Sequence, residues 1–221
     1  MLLSGFFEHT ENIDPADVAV ISYGVPRSGT TWAYQILRDL YPDGGVMKTH
    51  SYLGLPESVP AMVTYRDFRD VAISYWRVCR PEQSGPLTEE EIVRLAGIVH
   101  LWVVHFERYL ERPNRVVLRY EDFTKRPADI FPELEQVLGR TIDADTRRIL
   151  LEAHSLEINR GLRVFTDIPD PTWGRHNHVA PLPGGHCHEG QVGTWQRFVD
   201  EAGAVLLTDL LMGPLSRHGY V

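Results

Sequence analysis

The chain is short of lysine, of cysteine and of long apolar runs. Of 22 basic residues only Lys48 and Lys125 are lysine, the rest being arginine, and 30 acidic residues leave a net charge of -8. That balance excludes the broad basic face that nucleic acid or an anionic membrane requires. Any anion held by this chain is held by a few well-placed side chains. The two cysteines, Cys79 and Cys187, lie far apart in sequence, which argues against a disulfide framework and fits a reducing compartment. No run of about eighteen apolar residues offers a membrane span. The first residues lack the basic start and apolar centre of a secretion signal. A cytoplasmic location is the expectation.

Hydrophobic residues make up 43% and charged ones 24%, ordinary globular usage that sets aside disordered, collagen-like and coiled-coil readings. A length of 221 residues fits one domain spanning 1–221. Val18–Tyr23, Val46–His50, Ala61–Arg66 and Arg115–Tyr120 read as buried strands, being short and rich in β-branched residues. Helical patterns fall at 30–40, 68–78, from 89 onward, 128–138, 143–153 and 198–211. Thr88 and Glu91 stand at capping-box spacing before the long helix, which is apolar on nearly every side from Ile92 to Phe106 and so reads as largely buried. The alternation of strand and helix predicts an α/β fold, a central parallel sheet flanked by helices. From Val164 to Gly193 the pattern breaks into Pro, Gly and His, an irregular C-terminal segment of the kind that serves as a lid or binding loop.

Gly24-Val25-Pro26-Arg27-Ser28-Gly29-Thr30-Thr31 lies between the first strand and the first helix. Glycines at this spacing let backbone N–H groups converge on an anion beside the positive end of the helix. The spacing is that of the nucleotide P-loop, with Thr31 at the hydroxyl position and Thr30 where the P-loop lysine belongs. A lone pair of glycines is ordinarily only a turn. Here the strand before, the helix after, Arg27 inside and two hydroxyls at the helix start agree on anion binding.

A P-loop without its lysine that continues Ser28-Gly29-Thr30-Thr31-Trp32 resembles the sulfotransferases that use 3'-phosphoadenosine 5'-phosphosulfate (PAPS). Four further elements follow in that family's order. Lys48-Thr49-His50 resembles its Lys-Thr-His, which carries the catalytic base. The run Tyr65-Arg66-Asp67-Phe68-Arg69-Asp70-Val71-Ala72-Ile73-Ser74-Tyr75 is similar to its 3'-phosphate motif. Leu118 to Phe123 is similar to its strand-end Tyr-Glu-Asp element, and Gly193-Thr194-Trp195 to its C-terminal Trp region, with Phe198 one residue early. The resemblance, running from about 18 to 198, implies catalytic roles for His50 and Lys48. It implies cofactor contacts from Arg27, Ser28, Gly29, Thr30, Thr31, Trp32, Arg66, Ser74 and Tyr120. Two departures stand out. Only 33–47 separate Trp32 from Lys48, where cytosolic members carry a longer insert that walls the acceptor pocket. His188-Glu189-Gly190 replaces the family's Arg-Lys-Gly, and a glutamate cannot grip a phosphate; Arg160, Arg163 and Arg175 are nearby alternatives.

The chemistry so implied needs a base for an acceptor hydroxyl, and imidazole has the one unperturbed pKa near working pH. Lys48, two residues earlier on a strand, projects to the same face as His50. A sulfuryl group carries less charge than a phosphoryl group, so no metal is expected. The clusters His176-Asn177-His178 and His186-Cys187-His188 match no zinc spacing and read as loop. The acceptor is expected to be a small hydroxylated molecule, with Tyr52, Leu53, Trp76, Trp102, Phe106 and Trp173 as candidate walls. Two alternatives remain open at this point. One is a P-loop small-molecule kinase, which the missing lysine disfavours. The other is a non-catalytic nucleotide-binding protein, suggested by His188-Glu189.

Overall fold

Alternation along the strands decides which helices cover the sheet. In the computed structural model, which describes residues 15–80, 85–155, 157–158 and 190–221, β1 (Val20–Gly24) sits between β2 (Val46–Thr49) and β3 (Ala61–Tyr65), with β4 (Arg115–Arg119) outside β3. All pairings are parallel, as the sequence predicts. Val20, Val46, Met62, Val116 and Leu118 point to one face, where α1 (Thr30–Leu40), α4 (Tyr120–Phe123), α5 (Phe131–Leu138) and α6 (Ala144–Ala153) complete a core. Ile21, Tyr23, Met47, Ala61 and Val63 point to the other face, under α2 (Phe68–Cys79), α3 (Glu89–Leu110), α7 (Glu201–Leu210) and α8 (Met212–Arg217). Each fully buried aliphatic or Phe side chain contributes roughly 1.5–3 kcal/mol, so these two layers carry the fold.

The register places the strand ends at one level: Tyr23 lies opposite Thr49 and Val63, Gly24 opposite Thr64, and Thr64 opposite Leu118. In open α/β sheets ligands bind outside the carboxyl ends of the strands, where the strand order reverses. Here that place is the edge between β1 and its two neighbours.

Two expectations are corrected. The long helix is not buried all round: Val93, Leu101 and Val104 are exposed, the last at 59%. Apolar composition had hidden its true buried stripe of Ile92, Leu95, Ala96, Val99, Trp102, Val103 and Phe106, which has ordinary helical spacing. Its expected start is as read, with the Thr88–Glu91 capping box in place. The helix expected at 198–211 begins later, as Glu201–Leu210, and is not the last: after a break at Leu211 a further short helix, α8, follows. Pro214 has no N–H to offer the Leu210 carbonyl, which instead lies 2.8 Å from His100 Nε2. The segment around His176, His178, His186, Cys187, His188 and Glu189, with Arg160, Arg163, Trp173 and Arg175, lies outside the described residues. No described helix is long and apolar enough to cross a membrane.

Candidate active site

The turn between β1 and α1 is shaped by residues that leave no space. A Cβ on Gly24 would sit 2.0 Å from Thr30 Oγ1 and 2.1 Å from Thr64 Oγ1. Gly29 has φ +91°, and a Cβ there would stand 2.6 Å from the Phe123 ring. Arg27 also adopts the left-handed region, at φ 70°, which is uncommon for a residue with a side chain. Such outliers gather where a backbone is curled for function. Ser28 is fully buried, its hydroxyl 2.6 Å from the Val25 carbonyl and 2.9 Å from Thr64 Oγ1. Thr30 Oγ1 lies 3.3 Å from the same Thr64 hydroxyl. Ser28 and Thr30 therefore face inward and lock the turn onto β3. Thr64 was missed in the sequence because a threonine within a strand carries no signal for this task.

Side chains from the end of β2 and from α2 converge on this turn. Lys48 Nζ donates to Thr31 Oγ1 at 2.9 Å. His50 Nδ1 lies 2.7 Å from the Gly24 carbonyl oxygen. A carbonyl can only accept, so Nδ1 carries the hydrogen and the neutral ring keeps its lone pair on Nε2. From α2, Ser74 Oγ accepts from Arg27 Nε at 3.0 Å, tying two of the expected cofactor residues together.

Arg66 leaves the end of β3 and is 6% exposed. Its guanidinium lies 4.5 Å above the Tyr120 ring, and its NH2 donates to Asp70 Oδ2 at 3.1 Å and to the Gln191 carbonyl. Among the described residues its buried Nε has no hydrogen-bond partner. An orphaned buried donor on a cation costs free energy unless an acceptor reaches it, and a phosphate oxygen would satisfy it. Tyr120 donates its hydroxyl to the Gly190 carbonyl at 3.3 Å. Trp32 stacks on Phe123 at 4.7 Å with planes 6° apart. Its one ring face is thus packed, by a partner that sequence reading had not singled out.

Asp70 was another omission. It is 0% exposed, and besides Arg66 it accepts from Gly193 N–H at 2.7 Å, Trp195 N–H at 2.9 Å and the Thr194 hydroxyl at 3.2 Å. One carboxylate thus fastens the C-terminal Gly-Thr-Trp turn beside Arg66. Its signal was in the Arg-Asp-x-x-Asp pattern, where an acid one helical turn after an arginine can pair with it.

The aromatic walls expected for an acceptor need correction. Trp76, Trp102 and Phe106 are core residues, not pocket lining. Trp76 donates its indole N–H to Glu91, and the Trp102 carbonyl accepts the Tyr23 hydroxyl. Aromatic content cannot by itself separate core from pocket, because both bury rings. Tyr52 and Leu53 are half-buried, and the Tyr52 N–H donates to His105 Nδ1 at 3.2 Å. Burial pushes the pKa of His105 down. Among the described residues, no cluster of three His, Cys, Asp or Glu is gathered to hold a metal. A surface depression of about 660 Å³ lined by Asp200, Val205, Leu206 and Asp209 lies along α7 and includes none of these residues.

A parallel α/β sheet with a tight glycine-shaped turn between β1 and α1 is an architecture in which α/β proteins commonly place a phosphate. The sequence pattern of the sulfotransferase domain matches residues 45–205, more than half of the chain, and the chain belongs to that family. It is accordingly an enzyme of the sulfotransferase type. The match takes in Lys48, His50, Arg66, Ser74 and Tyr120 but begins after the turn at 24–31. A mouse sulfotransferase complexed with PAP (3'-phosphoadenosine 5'-phosphate) has the same fold, with TM-score 0.67 and 14% identity over 95% of this chain and 88% of that one. Retinol dehydratase in complex with androsterone and the inactive cofactor PAP matches at TM-score 0.67 and 15% identity, over 93% of this chain and 82% of that. Its complex with retinol and PAP matches at 0.61 and 17% over the same shares. At these identities the likeness speaks for the fold.

Proposed function

We propose that this chain, acting as one domain over 1–221 in the cytoplasm, moves a sulfuryl group from PAPS to the hydroxyl of a small acceptor. The observation that carries this reading is the convergence of His50 and Lys48 from one strand end onto the Gly24–Thr31 turn. The donor fits the residues present: Gly24 and Gly29 let the turn close tightly against Thr30, Thr64 and Phe123, and Arg66 presents a buried Nε–H with no partner among the described residues. PAPS supplies, when bound, an activated sulfuryl group on a phosphate leaving group.

The resemblance in sequence and the contacts at the turn support the following parts for the protein's own residues. The turn amides and Arg27 hold the 5' end, while Arg66 and Ser74 hold the 3'-phosphate, with Trp32 and Tyr120 near the base. His50, held as the Nδ1–H tautomer by the Gly24 carbonyl, takes the acceptor's proton on Nε2 as its oxygen attacks. Lys48, together with Arg27, neutralises the charge that builds on the transferring group and the oxygen it leaves. Groups fixed before the reaction in this way need no reorganisation during it, usually the largest catalytic term.

The test is transfer of labelled sulfate from PAPS to a panel of phenolic, aliphatic and sugar hydroxyls. His50→Ala is expected to lower turnover by about 10²–10⁴, the usual contribution of a positioned general base, with PAP binding nearly unchanged. Undiminished turnover in that variant would remove His50 from the mechanism. Binding of ATP–Mg²⁺ in preference to PAP would replace the reading with a kinase.

A further inference from the structure

The last residues of the chain belong to no motif, yet Tyr220 reaches the strand end that carries Arg66. Its N–H donates to the Leu215 carbonyl at 2.9 Å, which folds the tail back onto α8. Its hydroxyl donates to Glu121 Oε2 at 2.9 Å. Its ring lies 4.3 Å from the Arg119 guanidinium and meets Tyr65 and Phe68 edge-on, each at 6.1 Å. Glu121 is itself 6% exposed, and its second oxygen, Oε1, accepts from the Asp67 N–H at 3.0 Å. Arg119 Nε stands 3.4 Å from Oε2. Burial and the neighbouring Glu121 carboxylate both push the Tyr220 pKa up, as a committed donor requires.

The Asp67 N–H belongs to the peptide plane that follows Arg66. Whatever holds that plane fixes ψ of Arg66, and so the direction in which its side chain leaves β3. The far end of that side chain is held by Asp70 and the Gln191 carbonyl. At the near end the Asp67 N–H is held by Glu121. A swing of about 10° at this torsion displaces a guanidinium about 6 Å away by about 1 Å, and misplacements of that order are costly in sites that depend on orientation.

We propose that Glu121 and Tyr220 are positioning residues, a strut from the C-terminal tail through α4 to the β3–α2 corner that aims Arg66 at the nucleotide's 3'-phosphate. Neither touches the reacting groups; both act through Arg66. The strut rests on the reading of Arg66 as a phosphate grip, and the experiment keeps the two separable.

In the full-length chain, Tyr220→Phe removes one hydroxyl and keeps the ring. Glu121→Gln keeps an acceptor but loses the charge. Each is expected to raise the dissociation constant for PAP by about tenfold, the scale of one charge-assisted hydrogen bond. The KM for PAPS should rise with it, and kcat at saturation should change by less than about twofold, since the strut does not act on the transfer step. The double variant should be no worse than Glu121→Gln alone, because both act through one bond. Leu150→Val, in the core layer under α6, serves as the comparison: it should lower the melting temperature and leave PAP affinity as it was. Arg66→Met tests the underlying reading. If it binds PAP as the wild type does, the 3'-phosphate assignment falls and the strut with it. If Arg66→Met weakens binding while Tyr220→Phe and Glu121→Gln bind PAP normally, the strut alone is refuted. Equal loss of PAP affinity in Leu150→Val would reduce it to general stability and overturn it as well.

Discussion

Asp70 offers the sharpest test of how the strand end is assembled. Its carboxylate is fully buried and accepts from Arg66, Gly193, Thr194 and Trp195 at 2.7–3.2 Å. Asp70→Ala would strand a guanidinium that is itself 6% exposed, and breaking a buried ion pair from one side costs about 3–5 kcal/mol. The two freed amides would add about 1–3 kcal/mol each if they stayed dry. These terms overlap, since water or a shift of 193–195 relieves several at once, so the net expectation is about 4 kcal/mol. Against a typical total of about 5–15 kcal/mol, that change brings the domain close to unfolding. Asp70→Asn is the more informative variant. It keeps an acceptor for the backbone amides, removes the charge, and turns an amide group toward existing donors, for an expected loss of about 2–3 kcal/mol. Combining it with Arg66→Met removes the stranded cation. The double variant should then recover at least about 1 kcal/mol over Asp70→Asn alone, as coupled neighbours do. Urea unfolding followed by tryptophan fluorescence and circular dichroism would measure all of these. Simple additivity of the two substitutions would refute the argument, because the loss would not arise from the charge pair.

Two other outcomes follow from single features. Gly24→Ala drives a methyl to 2.0 Å from Thr30 Oγ1 and 2.1 Å from Thr64 Oγ1, so the turn must open; PAP binding by calorimetry should be lost, with about 1–3 kcal/mol of stability, and retained binding would show that the turn is not the anion site. Burial holds His105 and His218 below the ordinary imidazole pKa, with Glu107 opposing and Arg217 adding at His218. On acidification the unfolded chain therefore takes up these protons first, so stability is complete above about pH 6.5 and falls as the pH drops through the folded values. The urea midpoint should be lower at about pH 5.5 than at about pH 7.5, and His218→Asn should narrow the gap; a pH-independent midpoint would contradict the assignment.

The sheet, and the placing of Arg27, Lys48 and Arg66 near its strand ends, were legible because each strand announces itself locally. Val20–Gly24 and Ala61–Tyr65 are β-branched or apolar runs ended by a turn signal, and the residues after them fall at the strand ends by topology alone. What escaped was set by distance in sequence. Thr64 locks a turn that lies 36 positions before it at Ser28, Asp70 fastens a loop 123 positions later at Gly193, and Tyr220 reaches Glu121 across 99 positions. No local pattern encodes such pairings. The long helix misled for the opposite reason. Val93, Leu101 and Val104 have the composition of a core without its spacing, and only spacing places a residue on a face.

The scarcity of lysine takes on a structural meaning at this point. Guanidinium groups lie over aromatic rings at Tyr120, Trp195, Phe198, Tyr220 and Tyr41, at 4.3–4.9 Å. A planar guanidinium can stack on a ring while its edges still donate, which a rounder and more strongly hydrated ammonium does less well. Arg69 grips Asp67 with two bonds while covering Trp195, and Arg112, 2% exposed, donates to the carbonyls of Leu55, Pro56 and Val59. Much of the positive charge in this acidic chain is thus engaged in structure and contributes no broad basic surface. The cations gathered at the strand ends are Arg27, Lys48 and Arg66, and each is directed by a named partner, Ser74, Thr31 and Asp70. The lysine donates to a hydroxyl on the helix start and lies over the Tyr34 ring, contacts suited to a compact point charge. Arg66 makes two oriented bonds, to Asp70 and the Gln191 carbonyl, and its buried Nε has no partner among the described residues. A net charge of -8 is therefore compatible with a small, highly charged nucleotide, because recognition at this edge is directional rather than a property of the overall field.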